Sequence, residues 1–365
     1  MSYAITSCSQ DDTTFVYHRC IATIEGLSSY ISSLAIRGQF LYTGSSDKNI
    51  RLWNRNGITS NVDQETLLAN NMVITGNGAV KSIVVSADKL FSAHQDHKIR
   101  VWKISTDETQ QNKLTHLATL PTLGDRAFKI LIPKHHVQVR RHKKSTWIHH
   151  LDTVSALALS DDGLYLYSVS WDKTLKVWQT TDFKCIESVA GAHDDSINAL
   201  ALSSNGDVYT GSTDKKIKIW RKTSEGDHHT LVSTLEKHKS GVNALALSTD
   251  QTILYSGGSD RLIVVWEKTN GGDMVAVGAL KGHSKSIMCL SVVLDLVCSG
   301  SADETIRIWR GVDKCYVCLV ILEGHRGPVK CLAMVKDHDE PSDTSYLIYS
   351  GGLDCNIKVW QITIP

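Results

Sequence analysis

Asn198-Ala199-Leu200-Ala201-Leu202, Val208-Tyr209-Thr210, Gly211-Ser212-Thr213-Asp214 and Ile217-Lys218-Ile219-Trp220 follow one another in one short stretch of the chain. The first segment alternates small and large side chains, which suits a strand that must fit where strands converge on a narrow axis. The second runs into the third, a cluster of turn formers. The last is β-branched and aromatic, as strands prefer. His229–Leu235 reads as a further strand, followed by a loop. The stretch predicts strand, strand, turn, strand, strand.

The unit recurs. Asp, five residues, Trp is found at Asp47–Trp53, Asp96–Trp102, Asp172–Trp178, Asp214–Trp220, Asp260–Trp266, Asp303–Trp309 and Asp354–Trp360. Successive aspartates stand 42 to 51 residues apart, with one gap of 76. Ala-Leu-Ala-Leu also returns at Ala156–Leu159 and Ala244–Leu247. A period of that size marks a repeat architecture, and four short strands per unit is the plan of a β-propeller blade. Seven units predict an all-β, seven-bladed β-propeller. At 365 residues the chain exceeds the size at which a single core usually stops growing. Radial repetition avoids that limit, because each unit buries its faces against its two neighbours.

Composition excludes several classes. A net charge of +1 and a pI near 7.6 exclude a globally basic nucleic-acid binder and an acidic solvating protein. Nine cysteines are scattered, and only Cys315 and Cys318 form a CxxC. A zinc site would want a second pair, so both read as strand residues, and neither metal nor cofactor is expected. The N-terminus shows no charged region followed by an apolar run, so no secretory signal is expected. No stretch approaches the length of apolar sequence that spans a membrane. Reduced thiols in the cytoplasm or nucleus fit this usage best.

The polar residues inside the repeats are periodic as well. Four positions before each aspartate stands a hydroxyl: Thr43, Ser92, Ser168, Thr210, Ser256, Ser299 and Ser350. Five repeats add an upstream histidine, His150, His193, His238, His283 and His325. It lies 20 to 22 residues before the aspartate, and 29 in the last repeat, where Lys336–Ser345 lengthens a loop. With these features the chain resembles the WD40 family, whose blades carry Gly-His near the start and Trp-Asp near the end. Gly282-His283 and Gly324-His325 match the first dipeptide.

The resemblance implies a hydrogen-bond chain in each such blade: Trp indole to hydroxyl, hydroxyl to His, His to Asp. Its members would be His150, Ser168, Asp172 and Trp178; His193, Thr210, Asp214 and Trp220; His238, Ser256, Asp260 and Trp266; His283, Ser299, Asp303 and Trp309; His325, Ser350, Asp354 and Trp360. Ser, His and Asp together have the look of a hydrolase triad. Five copies around a ring, each tied to a Trp, read instead as struts, and no catalytic residue is expected. Repeats one and two lack the histidine, so their blades are expected to be less well braced. No repeat has a true Trp-Asp, and Trp-Asp-x-Arg, found in many substrate receptors of cullin-type ubiquitin ligases, is missing. A ubiquitin-ligase role stays as an alternative.

After Trp360 too few residues remain for a fourth strand. His18–Gly26 looks like Asp182–Val189, so Tyr17–Ile24 is expected to complete the last blade and close the ring. Residues 1–14 then form a polar, mobile tail and 15–365 a single, monomeric propeller. The long gap holds one ordinary repeat plus roughly thirty further residues, a length that is often functional in a loop. With His116–Pro121 as the fourth strand of blade two, the insertion is about residues 122–148. From Arg126 to Lys144 it carries Arg126, Lys129, Lys134, Arg140, Arg141, Lys143 and Lys144 and no acid.

Three readings of this segment stand open. It is a solvated loop whose hydrophobic half clips onto the ring, a docking surface for an acidic protein segment, or a phosphate contact for RNA or anionic lipid. Aromatics for base stacking are sparse in it, which counts against nucleic acid. Arg140–Lys144 also fits a nuclear-import signal. The residue before each repeat aspartate lies in a turn on the same face, and at Trp171 it is a large aromatic. Exposed Trp and Arg are enriched at binding hot spots; packing beneath the insertion is the other use for Trp171. Leu123–Phe128, Arg140–Lys144 with Trp147 and His149-His150, and Tyr167–Asp172 are similar to the plant JINGUBANG-like group of WD40 proteins. That resemblance implies a non-enzymatic scaffold or adaptor in plant developmental or transcriptional regulation, with transcriptional regulators among its partner proteins.

Overall fold

The computed structural model describes residues 16–25, 27–59, 72–86, 88–106, 112–125, 136–140, 143–222, 228–312, 315–337 and 344–364. They form seven four-stranded antiparallel sheets and one separate two-stranded hairpin. Blade four shows the common plan: Ile197–Leu202 innermost, then Val208–Ser212, Lys216–Lys222 and His229–Glu236 outermost. The innermost strands pack on one another around the axis, which is why Ala-Leu-Ala-Leu suits them. In every blade the register between the first two strands slips by one residue at the start of the inner strand, as at Ile197/Ala199. A bulge of this kind re-aims one side chain.

Blade seven joins both ends of the chain. Val329–Lys336, Ser345–Gly352 and Ile357–Thr363 are completed by Tyr17–Ile24, paired from Tyr17↔Thr363 to Ile24↔Ile357. The ring is therefore hydrogen-bonded shut, and Ile357–Thr363 is not left as an edge. The apolar core divides among the junctions between blades. Seven buried clusters each draw on two neighbouring blades, for example Ile31, Leu41 and Trp53 of blade one with Tyr349 and Val359 of blade seven. Each blade's tryptophan is buried at such a junction.

Two readings shift. The outer strand of blade two is Asn112–Leu120, several residues earlier than His116–Pro121. The expected tail at 1–14 lies outside the described residues.

Candidate interaction surface

The turn between the second and third strands is alike in all blades. The residue after the aspartate adopts a left-handed φ seven times: Lys48 at 73°, His97 at 67°, Lys173 at 68°, Lys215 at 73°, Arg261 at 70°, Glu304 at 73° and Cys355 at 63°. Aspartate suits the place because its carboxylate accepts the amide two residues on, as from Lys216 N to Asp214 Oδ1 at 3.0 Å. Its second oxygen reaches the loop from the preceding blade. There it accepts a backbone amide, Leu151 to Asp172 at 2.7 Å and Lys239 to Asp260 at 2.8 Å.

Behind these turns lie the polar chains. Each tryptophan Nε1 donates to the hydroxyl ten residues before it: Trp178 to Ser168 at 2.8 Å, Trp220 to Thr210, Trp266 to Ser256, Trp309 to Ser299 and Trp360 to Ser350 all at 2.9 Å. The hydroxyl lies 2.8 Å from Nε2 of His150, His193 and His238, 2.9 Å from that of His283 and 2.7 Å from that of His325. The opposite ring nitrogen faces the aspartate, His193 Nδ1 to Asp214 at 2.8 Å and His325 Nδ1 to Asp354 at 2.8 Å. Since an aspartate only accepts, Nδ1 holds the proton and Nε2 accepts from the hydroxyl. Burial lowers the pKa of His150, His193 and His283 more than the aspartate raises it. Burial alone would raise Asp172 and Asp354, but hydrogen bonds from the histidine and backbone outweigh it and hold both below the carboxylate range. In His150–Asp172, His193–Asp214 and His283–Asp303 the imidazole is neutral and the carboxylate ionised, and in all five blades the hydroxyl is held between the indole and the imidazole.

Blades one and two were expected to be less braced, and for blade two the structure differs. In blade two His94, two residues after Ser92, places Nε2 at 2.8 Å from Ser92 Oγ and donates from Nδ1 to Gly78 O at 2.8 Å. Its ring fills the space a side chain on Gly76 would need, with Cε1 at 3.0 Å from an ideal Cβ there. Trp102 still donates to Ser92 at 2.9 Å. The aspartate, without a histidine, takes an arginine four residues on: Arg100 to Asp96 at 2.5 Å, and in blade one Arg51 to Asp47 at 2.6 Å. Trp53 donates to Thr43 at 3.0 Å, and Ser28 to Asp47 at 2.8 Å. In both blades an arginine satisfies the aspartate, and in blade two His94 takes the hydroxyl's bond; in blade one, among the described residues, no imidazole meets Thr43.

Trp171 is 39% exposed on the top-face turn of blade three. Its amide donates to Thr153 O at 3.0 Å, and Lys81 Nζ from blade two stands 5.7 Å from its ring centroid. Lys173 beside it donates to Asp194 O at 2.7 Å. The insertion opens into a hairpin, His136–Arg140 with Lys143–Thr146, where Arg140 pairs with Lys143 and Gln138 with Lys144. Arg126, Lys129, Lys134 and Arg141 lie outside the described residues. The insertion is shorter at its far end than read from sequence. Ile148 is fully buried, and Trp147 O accepts from Lys176 Nζ at 2.5 Å, so both belong to the body of blade three. Sequence reasoning passed over Lys81 and Lys330, whose signal was a lysine in an otherwise apolar or small-residue inner strand. Among the described residues no cluster of metal-ligating side chains occurs, and no helix is long and apolar enough to cross a membrane.

Comparison with known proteins agrees with this architecture. The family model described as "WD domain, G-beta repeat" matches residues 18–54, 141–179, 183–221, 229–267, 274–310 and 316–361. Blade two, with its displaced histidine, falls between the matches. The chain is 26% identical over 60% of its length to apoptotic protease-activating factor 1 of Danio rerio, covering 16% of that protein. It is 23% identical over 74% of its length to ribosome biogenesis protein YTM1 of Eremothecium gossypii, covering 52% of it. Protein Notchless of Drosophila melanogaster is 28% identical over 45% of the chain, with 32% of that protein covered. The chain thus spans about half or less of the length of these relatives. Six matched repeats, extending over more than half of the sequence, and the closed ring of seven blades place the chain in the WD40 repeat family.

Proposed function

We propose that the protein is a non-enzymatic scaffold that binds partner proteins on its top face, through Trp171 and the basic insertion beside it. The observation that carries this is an exposed tryptophan in a tight turn, a position where the other blades manage with Ser46, Gln95, Thr213, Ser259, Ala302 and Leu353. Such a ring side chain loses little entropy on binding, and the ring holds its turns preorganised. In the five histidine-braced blades the hydroxyl is already held between the indole and the imidazole, which favours binding over turnover. Relatives named for ribosome biogenesis and for protease activation are compatible with propellers serving many assemblies. The residues shared with the JINGUBANG-like group support a role in plant developmental regulation, with transcriptional regulators as partners and Arg140–Lys144 as a nuclear-import signal.

Affinity capture with wild type, Trp171→Ala and a variant neutralised at Arg140, Arg141, Lys143 and Lys144 tests this. Partners held by wild type are expected to be lost or weakened at least tenfold in both variants. Retention of every partner by both variants removes the site.

A further inference from the structure

The bulge residue of each innermost strand lies at the top end of the channel wall: Ser32, Lys81, Ser155, Asn198, Asn243, Met288 and Lys330. At four of these positions the side chain ties its blade to the next. Ser32 donates to Val80 O, Ser155 to Ile197 O, Asn198 to Val242 O and Asn243 to Ile287 O. The two lysines make no such tie. Neither ammonium group has a hydrogen bond or a carboxylate partner among the described residues. Lys81 Nζ leans over the Trp171 ring at 5.7 Å from its centroid. Burial holds half-buried Lys330 below the ordinary lysine range; the thiols of Cys289 and Cys331 pull the other way, and the charge of Lys81 adds to the lowering.

The seven innermost strands contain no aspartate or glutamate. Two like charges without a counter-ion in one channel mouth weaken the fold, and serine or asparagine at the same positions would tie the blades instead. A structural role does not account for them. A carboxylate entering between them would meet two charge-assisted donors in a part-desolvated place, where such bonds are strongest.

We propose that Lys81 and Lys330, with the Trp171 ring beside Lys81, form a socket at the top mouth of the channel for a carboxylate side chain of an acidic partner segment. This rests on the top-face reading and names its ligand chemistry. A protein segment fits better than a nucleic acid, because a phosphate backbone wants a continuous basic track with stacking aromatics. Here Asp194 and Asp195 interrupt the rim.

The test is fluorescence anisotropy with a labelled peptide of alternating glutamate and serine, its glutamine counterpart and a labelled single-stranded oligonucleotide. The proteins are wild type, Lys81→Met, Lys330→Met and Trp171→Ala. The glutamate peptide is expected to bind wild type and the glutamine peptide not, with each Lys→Met change weakening binding about tenfold. Lys330→Met should also raise the Tm, since it removes an unpaired, half-buried charge, so lost binding is separable from misfolding. Full binding by both Lys→Met variants, tighter binding of the oligonucleotide, or no binding of the acidic peptide to wild type overturns the socket. If binding falls in Trp171→Ala but is unchanged in the lysine variants, the socket fails and the top-face reading stands. If the lysines matter and Trp171→Ala is neutral, the socket stands and the role given to Trp171 fails.

Discussion

The polar residues of each repeat are best understood one hydrogen bond at a time. His94 and His193 enter from different points of the chain, one from the second strand and one from the upstream loop. Both end with a ring nitrogen 2.8 Å from the blade's hydroxyl. What is conserved between the blades is therefore the occupied space and not the spacing. His94→Ala would leave Ser92 Oγ and Gly78 O short of a partner, and His193→Ala would strand Asp214 and Thr210. Each change should cost about 2–3 kcal/mol, the penalty for unsatisfied buried polar groups, with a matching drop in the denaturant midpoint. A negligible shift for His94→Ala would mean that blade two does not depend on this brace. The reason the sequence concealed His94 is plain at this scale. A search for histidine some twenty residues before the aspartate finds Gly76 and Gly78, and the signal was instead a histidine two residues after the hydroxyl. The Trp-to-hydroxyl bonds were legible because both partners lie in adjacent strands at fixed offset. Lys81 and Lys330 were not, since their meaning depends on which blades stand side by side.

At the scale of elements, the strand Tyr17–Ile24 was readable from its likeness to another outer strand, and it settles how the ring closes. Its Ile24 is buried in the cluster shared by blades seven and one, and Lys358 Nζ donates to Thr23 at 3.0 Å. Removing residues 1–24 should leave Ile357–Thr363 as an unpaired edge, which invites association with other chains. The truncated protein is expected to elute as oligomers in size-exclusion chromatography and to melt over a broader range than wild type. A monomer with unchanged Tm would show that closure does not rest on this strand. The insertion was legible as a basic element but not as a hairpin: His136–Arg140 alternates polar and apolar residues, but its partner Lys143–Thr146 has no apolar residue and so carries no strand pattern of its own.

For the whole molecule, repetition multiplies small terms. The folded ring holds His94 down at about 4, chiefly through burial, and also lowers His150, His193 and His283. An unfolded histidine takes up its proton near pH 6.5. Between that pH and the folded values the unfolded state binds more protons, so stability falls as the pH drops through this window. Asp172, Asp214, Asp303 and Asp354 have depressed folded values as well, which adds a second loss below about pH 4, as the unfolded carboxylates protonate first. Unfolding free energy should be nearly flat from pH 8 to 7, decline below 6.5 and decline more steeply below 4. Equal stability at pH 5 and pH 7.5 would contradict the neutral-histidine assignment.

This division of labour, with braces inside the blades and recognition on the top face, is tested most directly by unfolding and partner affinity measured together on Trp171→Ala. The account predicts a denaturation midpoint within error of wild type and a partner affinity reduced at least tenfold. A variant that loses stability while keeping wild-type affinity would contradict it.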